Sequence, residues 1–146
     1  MSKDCGFVNW DNPVPVAAAL VQYQQDIILA RNSQWPPGEF SLITGYLERG
    51  ETPEEAAIRE VKEELGLDAE VGGFIGCYSL REKNQLILAH WVVASGELQA
   101  NDEIAEIRFL SRADLSRWKF GRFALTSEIV SRWLQNFPFP GVPNQS

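Results

Sequence analysis

Runs of apolar residues divide this chain into strand-like and helix-like segments. Residues 14–23 read VPVAAALVQY and are mostly apolar, and IILA follows at residues 27–30 after a short polar break. Apolar runs of this length predict buried strands, and the short break predicts that the two pair as an antiparallel hairpin. Further strands are expected at residues 40–44, 69–80, 85–98 and 105–110. These segments are rich in β-branched and aromatic residues, which favour strands.

One segment combines helical spacing with clear start and stop signals. Thr52 can act as N-cap, Pro53 occupies the first helical position, and Glu55 follows three residues after the cap, which is the pattern of a capping box. The apolar positions share one face of the helix: Ala57, Ile58, Val61 and Leu65. Gly66 is placed to end the helix in a left-handed conformation. The pattern predicts a helix from Pro53 to Leu65.

A second amphipathic helix is expected near the end of the chain, at residues 123–137. Its apolar stripe repeats every four residues: Leu125, Ile129, Trp133 and Phe137. A short helical turn is expected before it, at residues 111–118. Strands interleaved with helices predict an α/β architecture in which a mixed sheet is covered on both faces. The 146 residues suit one domain spanning 1–146, with an irregular segment at 1–12 and a tail at 138–146.

Charge and composition restrict the partners. The formal net charge of -7 argues against broad binding to nucleic acid or an anionic membrane, since both require clustered Lys and Arg. Phosphorylated substrates remain possible, because carboxylates that capture metal ions reverse the local field. No apolar run approaches the roughly 20 residues that a bilayer crossing requires, and no leader-like progression opens the sequence. We therefore expect a soluble, cytoplasmic protein.

The two cysteines, Cys5 and Cys77, suggest no special chemistry. They are too few for a disulfide framework or for a zinc site with four cysteine ligands. We expect Cys77 to be packed within a strand and Cys5 to lie in the terminal segment.

Three glutamates of the predicted helix, Glu60, Glu63 and Glu64, crowd one side of it, because Glu63 and Glu64 follow Glu60 by three and four residues. Like charges at this spacing cost roughly a few tenths of a kcal/mol per pair. Hard divalent cations such as Mg²⁺ prefer oxygen ligands and would offset that repulsion. The alternative is an acidic helix face that is simply solvated, and for an isolated pattern of this kind that alternative is the better one.

The surrounding sequence favours the metal-binding interpretation. The stretch GYLERGETPEEAAIREVKEELGL, residues 45–67, contains Gly45, Glu51 six residues later, then REVKEELGL from Arg59. It resembles the signature box of the Nudix hydrolases, which is written as G, five residues, E, seven residues, and R-E-aliphatic-x-E-E-x-G-aliphatic. Every fixed position of the box matches, which makes accidental agreement far less credible than for a lone short motif. The order of strands and helices is also similar to the family fold, an α/β/α sandwich.

The resemblance implies a hydrolase that cleaves the diphosphate bond of a nucleoside diphosphate linked to another moiety, with Mg²⁺ or Mn²⁺ assisting the attack of water at phosphorus. Glu60 and Glu64 would be the principal metal ligands. Glu63 would ligate through water or act as the general base. Arg59 could hold Glu63 by an ion pair, or could form a plain helix-surface pair.

Other positions of the box would shape the site. In similar proteins the chain passes close to the metal at Gly45, and the carbonyl of the preceding residue, here Thr44, is a ligand. Glu51 could contact either the metals or the loop backbone, and Gly66 ends the helix. A further carboxylate often comes from a later strand or loop, and the candidates are Glu103 and Glu106. We favour Glu103, although a solvated loop before an edge strand would explain either residue.

Within the family, ITGYLERGE and the later QLILAHW resemble the NADH pyrophosphatase branch, as do Cys5-Gly6 and Asn12-Pro13. The chain departs from that branch because the remaining zinc-ribbon cysteines are absent and the SQPWPFP signature is replaced by CYSLREK at residues 77–83. We therefore expect no structural zinc. The replaced loop is where part of the substrate is expected to lie, and its candidate contacts are Tyr78, Arg81 and Gln85.

Four tryptophans could stack a nucleobase: Trp35, Trp91, Trp118 and Trp133. Core packing is the better explanation for Trp91 and Trp133, which lie in a strand and on a helical stripe. Trp35 is the better pocket candidate because it adjoins a Pro-Pro-Gly loop. We expect His90 to be structural, since carboxylates already suffice for proton transfer.

The leading hypothesis is thus a metal-dependent hydrolase of a small nucleotide substrate, with no nucleic acid or membrane partner and with a homodimer as a plausible assembly. Two alternatives come from other classes. One is a domain that senses nucleotides without cleaving them, and the other is an acidic interaction protein. The complete set of box carboxylates argues against a pure sensor.

Overall fold

The computed structural model describes residues 12–137. The segments expected to be irregular at 1–12 and frayed at 138–146 lie almost entirely outside the described residues, as does Cys5. The described chain contains these strands and helices in order: β1 Val14–Tyr23, β2 Asp26–Asn32, β3 Ile43–Tyr46, α1 Pro53–Leu65, β4 Asp68–Leu80, β5 Gln85–Ser95, β6 Ile104–Leu110, α2 Arg112–Arg117 and α3 Ala124–Asn136. A short 3₁₀ turn, Arg81–Lys83, joins β4 to β5.

The strands form one mixed sheet in the order β4-β5-β1-β2-β6. β1 and β2 pair antiparallel, as the sequence predicts, whereas β1 and β5 run parallel over their whole lengths. β3 pairs antiparallel with residues 16–19 of β1, beside the region where β2 leaves it. As a result, β3 delivers the chain to the start of the loop that leads into α1.

Alternate residues of β1 enter two separate cores, which explains why its apolar run is continuous. Val16, Ala18 and Leu20 belong to a core that includes Ile129 and Trp133 of α3. Their neighbours Ala17, Ala19 and Val21 belong to a second core with Ala57, Val61 and Leu65 of α1. The sheet is therefore covered by helices on both faces, and the predicted α/β/α sandwich is confirmed.

Two local predictions were wrong. The strand expected at residues 40–44 begins later, at Ile43, because Ser41 makes only a single bridge to Ala30 after the Pro-Pro-Gly loop. Cys77 lies within β4 as expected, but its side chain is exposed rather than packed. It pairs with Leu88 of β5, and β4 is an edge strand of the sheet. Among residues 12–137, no helix is long and apolar enough to cross a membrane.

Candidate active site

A polar pocket of about 550 Å³ opens where β3 meets α1. We call it the carboxylate pocket. Its lining combines residues of β1, β3 and α1 with residues of the 3₁₀ turn, the start of β5 and the loop before β6: Val16, Thr44, Gly45, Tyr46, Glu60, Glu63, Glu64, Lys83, Gln85, Asn101 and Glu103. The structure therefore brings together the three helix glutamates, Thr44, Gly45, Gln85 and Glu103, as the sequence predicts. A smaller cavity of about 90 Å³ continues from it past Glu64 and Glu103 to Trp35.

Helix α1 orients its glutamates because both of its ends are fixed. At the start, the Thr52 hydroxyl accepts from the Glu55 amide at 3.1 Å, and the Glu55 carboxylate accepts from the Thr52 amide at 3.0 Å, completing the predicted capping box. At the end, Gly66 adopts the left-handed conformation with φ 73°. The apolar face of the helix is buried in the second core, so the opposite face presents the carboxylates to the pocket.

The last turn of α1 also positions Glu103, through Asn101. The Asn101 amide donates to the Glu64 carbonyl at 2.9 Å, and its side-chain Nδ2 donates to the Glu63 carbonyl at 3.1 Å. The Asn101 side-chain oxygen then accepts from the Glu103 amide at 2.9 Å. One asparagine thus ties the fourth carboxylate to the helix that carries the other three.

Arg59 joins the box residues to one another. Its Nε and Nη2 donate to the two carboxylate oxygens of Glu51 at 2.6 and 3.0 Å, and Nη2 also donates to the Tyr46 carbonyl. Its Nη1 lies 2.9 Å from Glu60 Oε2 and 3.3 Å from Glu63 Oε1. The hydrogen bonds from Arg59 lower the pKa of Glu51, and the same bonds raise the pKa of Arg59. Arg59 is therefore more than a surface pair.

Glu51 is oriented toward the loop. Its carboxylate is held by Arg59 and accepts from the Glu48 amide at 2.8 Å. The structure contains the predicted loop-backbone contact of Glu51, and the predicted contact with the metals stays a prediction.

Glu64 has the most perturbed environment in the pocket. Burial raises its pKa to about 9, with further contributions from its hydrogen bond to Glu60 and from the charges of Glu60, Glu103 and Glu63. A carboxyl group in this setting holds a proton at neutral pH unless a cation replaces it. The site therefore favours positive charge.

Gly45 makes room for one of these acids. A Cβ built on Gly45 would overlap the carboxyl carbon of Glu60. Only a residue without a side chain lets β3 pass this close to the helix glutamates. The chain thus passes close to Glu60 at Gly45, and its approach to a metal stays a prediction.

The donor set suits a hard divalent cation. Among residues 12–137, no three acidic, histidine or cysteine side chains converge closely enough to form a rigid metal cage. Mg²⁺ does not require one, because it keeps several waters and binds through one or two carboxylates together with substrate phosphates. The pocket carboxylates together raise the pKa of Glu64 and lie beside open pocket volume, which matches that requirement.

Glu106 lies outside the pocket. Its carboxylate is 2.9 Å from Arg31 Nε and 3.3 Å from Arg108 Nη2, and the hydrogen bond from Arg31 lowers its pKa. It is therefore committed to an ion-pair network on the edge strand. The structure supports the preference for Glu103 over Glu106 as the fourth pocket carboxylate.

Two of the three predicted loop contacts do not reach the pocket. Tyr78 packs against the core under α3, with the Arg132 guanidinium 5.4 Å from its ring, and burial raises the pKa of its hydroxyl. Arg81 is exposed in the 3₁₀ turn. Only Gln85 lines the pocket, and its amide donates to the Tyr46 hydroxyl at 3.3 Å.

The tryptophans divide as expected. Trp91 and Trp133 are buried in the core, whereas Trp35 is half-buried and lines the smaller cavity beside Glu103. Trp118 packs its edge on Phe40. His90 is buried against Phe74, and burial lowers its pKa. It does not line the carboxylate pocket.

Sequence reasoning missed three polar pocket residues, Tyr46, Lys83 and Asn101. Tyr46 directly follows the box glycine, and Lys83 ends the loop that replaces the branch signature. Tyr46 lies inside the box and Lys83 inside the loop expected to contact substrate, so their positions in these two stretches could have indicated that they line the pocket. The sequence gives a weaker signal for Asn101, which is a turn-forming residue two positions before Glu103.

The fold and the pocket agree with the family comparison. The NUDIX domain model matches residues 12–134, and the chain therefore belongs to the Nudix family, as its box predicts.

Several proteins of known name are similar to this chain in sequence or in structure. The NAD-capped RNA hydrolase NudC of Pseudomonas aeruginosa is 31% identical over 109 residues, which cover 73% of this chain but only 39% of that protein. The ADP-ribose pyrophosphatase of Methanocaldococcus jannaschii is 30% identical over 128 residues, covering 84% of this chain and 75% of that one. A crystal structure of a NUDIX hydrolase from Nitrosomonas europaea shares the fold, with a TM-score of 0.73, 20% identity, and coverage of 85% and 71%.

Proposed function

We propose that this chain hydrolyses the diphosphate bond of a nucleoside diphosphate linked to another moiety, with Mg²⁺ or Mn²⁺ held in the carboxylate pocket. The observation that carries the proposal is the convergence of Glu60, Glu63, Glu64 and Glu103 on one open pocket, where the pKa of Glu64 is raised to about 9. Acids in such mutual repulsion are explained by a cation that they bind together.

The residues have separate roles in this proposal. Glu60, Glu64 and Glu103, with the Thr44 carbonyl, hold the metal. Bound there, the metal would neutralise phosphate charge and acidify a coordinated water. Glu63, 54% exposed, is the most exposed of the three helix glutamates in the pocket, so it can accept the proton of the attacking water from the solvent side. Arg59 keeps Glu60 and Glu63 in position.

The names of two relatives support the substrate class. One is an ADP-ribose pyrophosphatase and the other is an NAD-capped RNA hydrolase, so both names describe a nucleoside diphosphate carrying a further group. The second name includes RNA as the substrate, whereas this chain is expected to bind no nucleic acid. That expectation stays a prediction. The net charge of -7 favours a small nucleotide over a long RNA.

Turnover is expected to depend on added metal. A panel of NAD, ADP-ribose, UDP-glucose, diadenosine tetraphosphate and ATP would be incubated with the protein, and the products would be resolved by mass. We expect cleavage of at least one compound with Mg²⁺ or Mn²⁺ and loss of that activity with EDTA, restored by excess metal. Tight binding of one compound without turnover would instead favour a nucleotide-sensing domain.

The two candidate acids of the β6 region are expected to respond differently to removal of their charge. Glu103→Gln should lower kcat by at least about tenfold, because an amide binds hard cations poorly. Glu106→Gln is the matched control, since it removes a charge from the same segment but lies in the Arg31 network. We expect it to retain kcat within about twofold. Equal losses in the two variants would contradict the assignment of Glu103.

A further inference from the structure

The loop that leads into β6 is bound to the C-terminal end of α1. The last carbonyls of a helix have no partner within the helix, and here three of them accept from this loop. The Gln99 amide donates to the Leu65 carbonyl at 2.8 Å. The amide and the side-chain Nδ2 of Asn101 donate to the carbonyls of Glu64 and Glu63, at 2.9 and 3.1 Å. The helix turn that carries two pocket glutamates therefore also holds the loop.

Glu103 is held through its backbone on both sides. The Asn101 side-chain oxygen accepts from the Glu103 amide at 2.9 Å, and the Glu103 carbonyl accepts from the Ser33 amide at 2.8 Å. An asparagine that accepts from the amide two residues later forms a turn that mimics a backbone turn. The placement of the Glu103 side chain in the carboxylate pocket thus depends on these two backbone bonds.

Loss of the Asn101 side chain would release Glu103 without unfolding the chain. It would remove one bond to the helix and one to the Glu103 amide, and both of these bonds lie in solvent-exposed surroundings. The freed groups can therefore bond to water instead. The turn at residues 101–103 can then adopt other conformations, and the apparent affinity for a ligand falls with the fraction of molecules in the binding-competent conformation.

On these grounds, and resting on the proposed function, we propose that Asn101 is a positioning residue for the metal, which holds Glu103 beside the helix glutamates before the cation binds. It acts through Glu103 and does not contact the cation, because its side-chain oxygen is engaged by the Glu103 amide. It therefore sets the affinity for the metal and has little influence on the chemical step. A saturating metal concentration recovers the competent conformation.

Metal titration without substrate tests this role, with free Mn²⁺ followed by its electron paramagnetic resonance signal. We expect Asn101→Ala to weaken Mn²⁺ binding about tenfold, the lower end of the loss caused by removing a partner of a metal ligand. Asn101→Ser should lose only about threefold, because a serine hydroxyl accepts from the amide two residues later, although more weakly. Ser111→Ala is the matched control, since it removes the 3.1 Å side-chain cap of α2 outside the pocket. It should leave Mn²⁺ binding unchanged.

Turnover should separate metal affinity from chemistry. In Asn101→Ala the Mg²⁺ concentration for half-maximal rate should rise about tenfold, whereas kcat at saturating Mg²⁺ should stay within about threefold of the wild type. A lower kcat with an unchanged metal requirement would overturn the inference. Thermal unfolding is measured on the same samples, and if Asn101→Ala does not fold, Asn101→Ser carries the comparison with its smaller expected loss.

A double-mutant cycle with Glu103 shows whether Asn101 acts through it. In a Glu103→Gln background, Asn101→Ala should change Mn²⁺ binding by less than about twofold, because the carboxylate that it positions is already lost. Losses that add fully would mean that Asn101 contacts the cation itself or supports the fold in general. That result, or unchanged Mn²⁺ binding in Asn101→Ala, would overturn the inference and leave the proposed function standing. A wild type that neither binds Mn²⁺ nor cleaves any compound would overturn both.

Discussion

Glu64→Gln is expected to remove most of the turnover while making the metal-free protein more stable. The side chain keeps its size but loses the charge that would bind a cation. Loss of a residue that merely supports a metal ligand costs roughly 10- to 100-fold, so loss of a direct ligand should lower kcat by at least about a hundredfold. Stability should rise because folding of the metal-free wild type must either protonate Glu64 or bury its charge among Glu60, Glu63 and Glu103, which repel it.

The stability gain should depend on pH in a definite direction. The pKa of Glu64 is about 9 in the folded protein and close to its ordinary value of 4.5 in the unfolded chain. Between these values the folded state binds more protons, so this group makes the free energy of unfolding fall as pH rises from about 4.5 to about 9. A glutamine cannot titrate. The variant should therefore show a flatter decline, and its advantage should grow toward about pH 9 and be clearly larger at pH 8 than at pH 5.

Calorimetry in EDTA at pH 5 and pH 8 measures this difference, with kcat determined in parallel at saturating Mg²⁺. Glu70→Gln is a suitable control, since it removes one exposed carboxylate from β4 outside the pocket. A Glu64→Gln protein with nearly normal kcat would refute its role as a metal ligand. A pH dependence equal to that of the wild type would refute the crowding of charges around it.

The helix and its glutamates could be predicted from the sequence because the determinants are local. Thr52, Pro53 and Glu55 specify where α1 begins, and Gly66 specifies where it ends. Once the start is fixed, helical geometry places Glu60, Glu63 and Glu64 on one side. The apolar spacing then decides which side faces the sheet.

The rest of the site depends on contacts between distant segments. Glu103 reaches the pocket because Asn101 bonds to carbonyls of the last turn of α1, which no pattern within residues 99–106 reveals. Tyr78 was predicted to contact substrate from its place near the loop. It pairs with Ile87 instead and faces the core under α3, after register shifts near Gly73 and Gly76 that local spacing does not encode.

Gly45→Ala is expected to remove activity while leaving the fold nearly unchanged. The new Cβ would overlap the Glu60 carboxyl, which is the mobile end of a long side chain and can move away. Its displacement would break the 2.9 Å contact with Arg59 and take one ligand out of the pocket. Misplacement of a catalytic group by about 1 Å can cost about a hundredfold in rate, and we expect a loss of kcat of that size.

Stability should respond much less, because alanine is intrinsically better than glycine within a strand by roughly 0.5–1 kcal/mol and this offsets part of the rearrangement. We expect Tm within about 4 °C of the wild type, the shift that about 1 kcal/mol produces. Gly73→Ala supplies the contrast, since its Cβ would lie 2.7 Å from the Phe137 ring, away from the carboxylates. It should lower Tm and preserve kcat. An unfolding defect would instead lower both Tm and kcat in Gly45→Ala. That result would mean that the space beside Glu60 is needed for packing rather than for positioning a metal ligand.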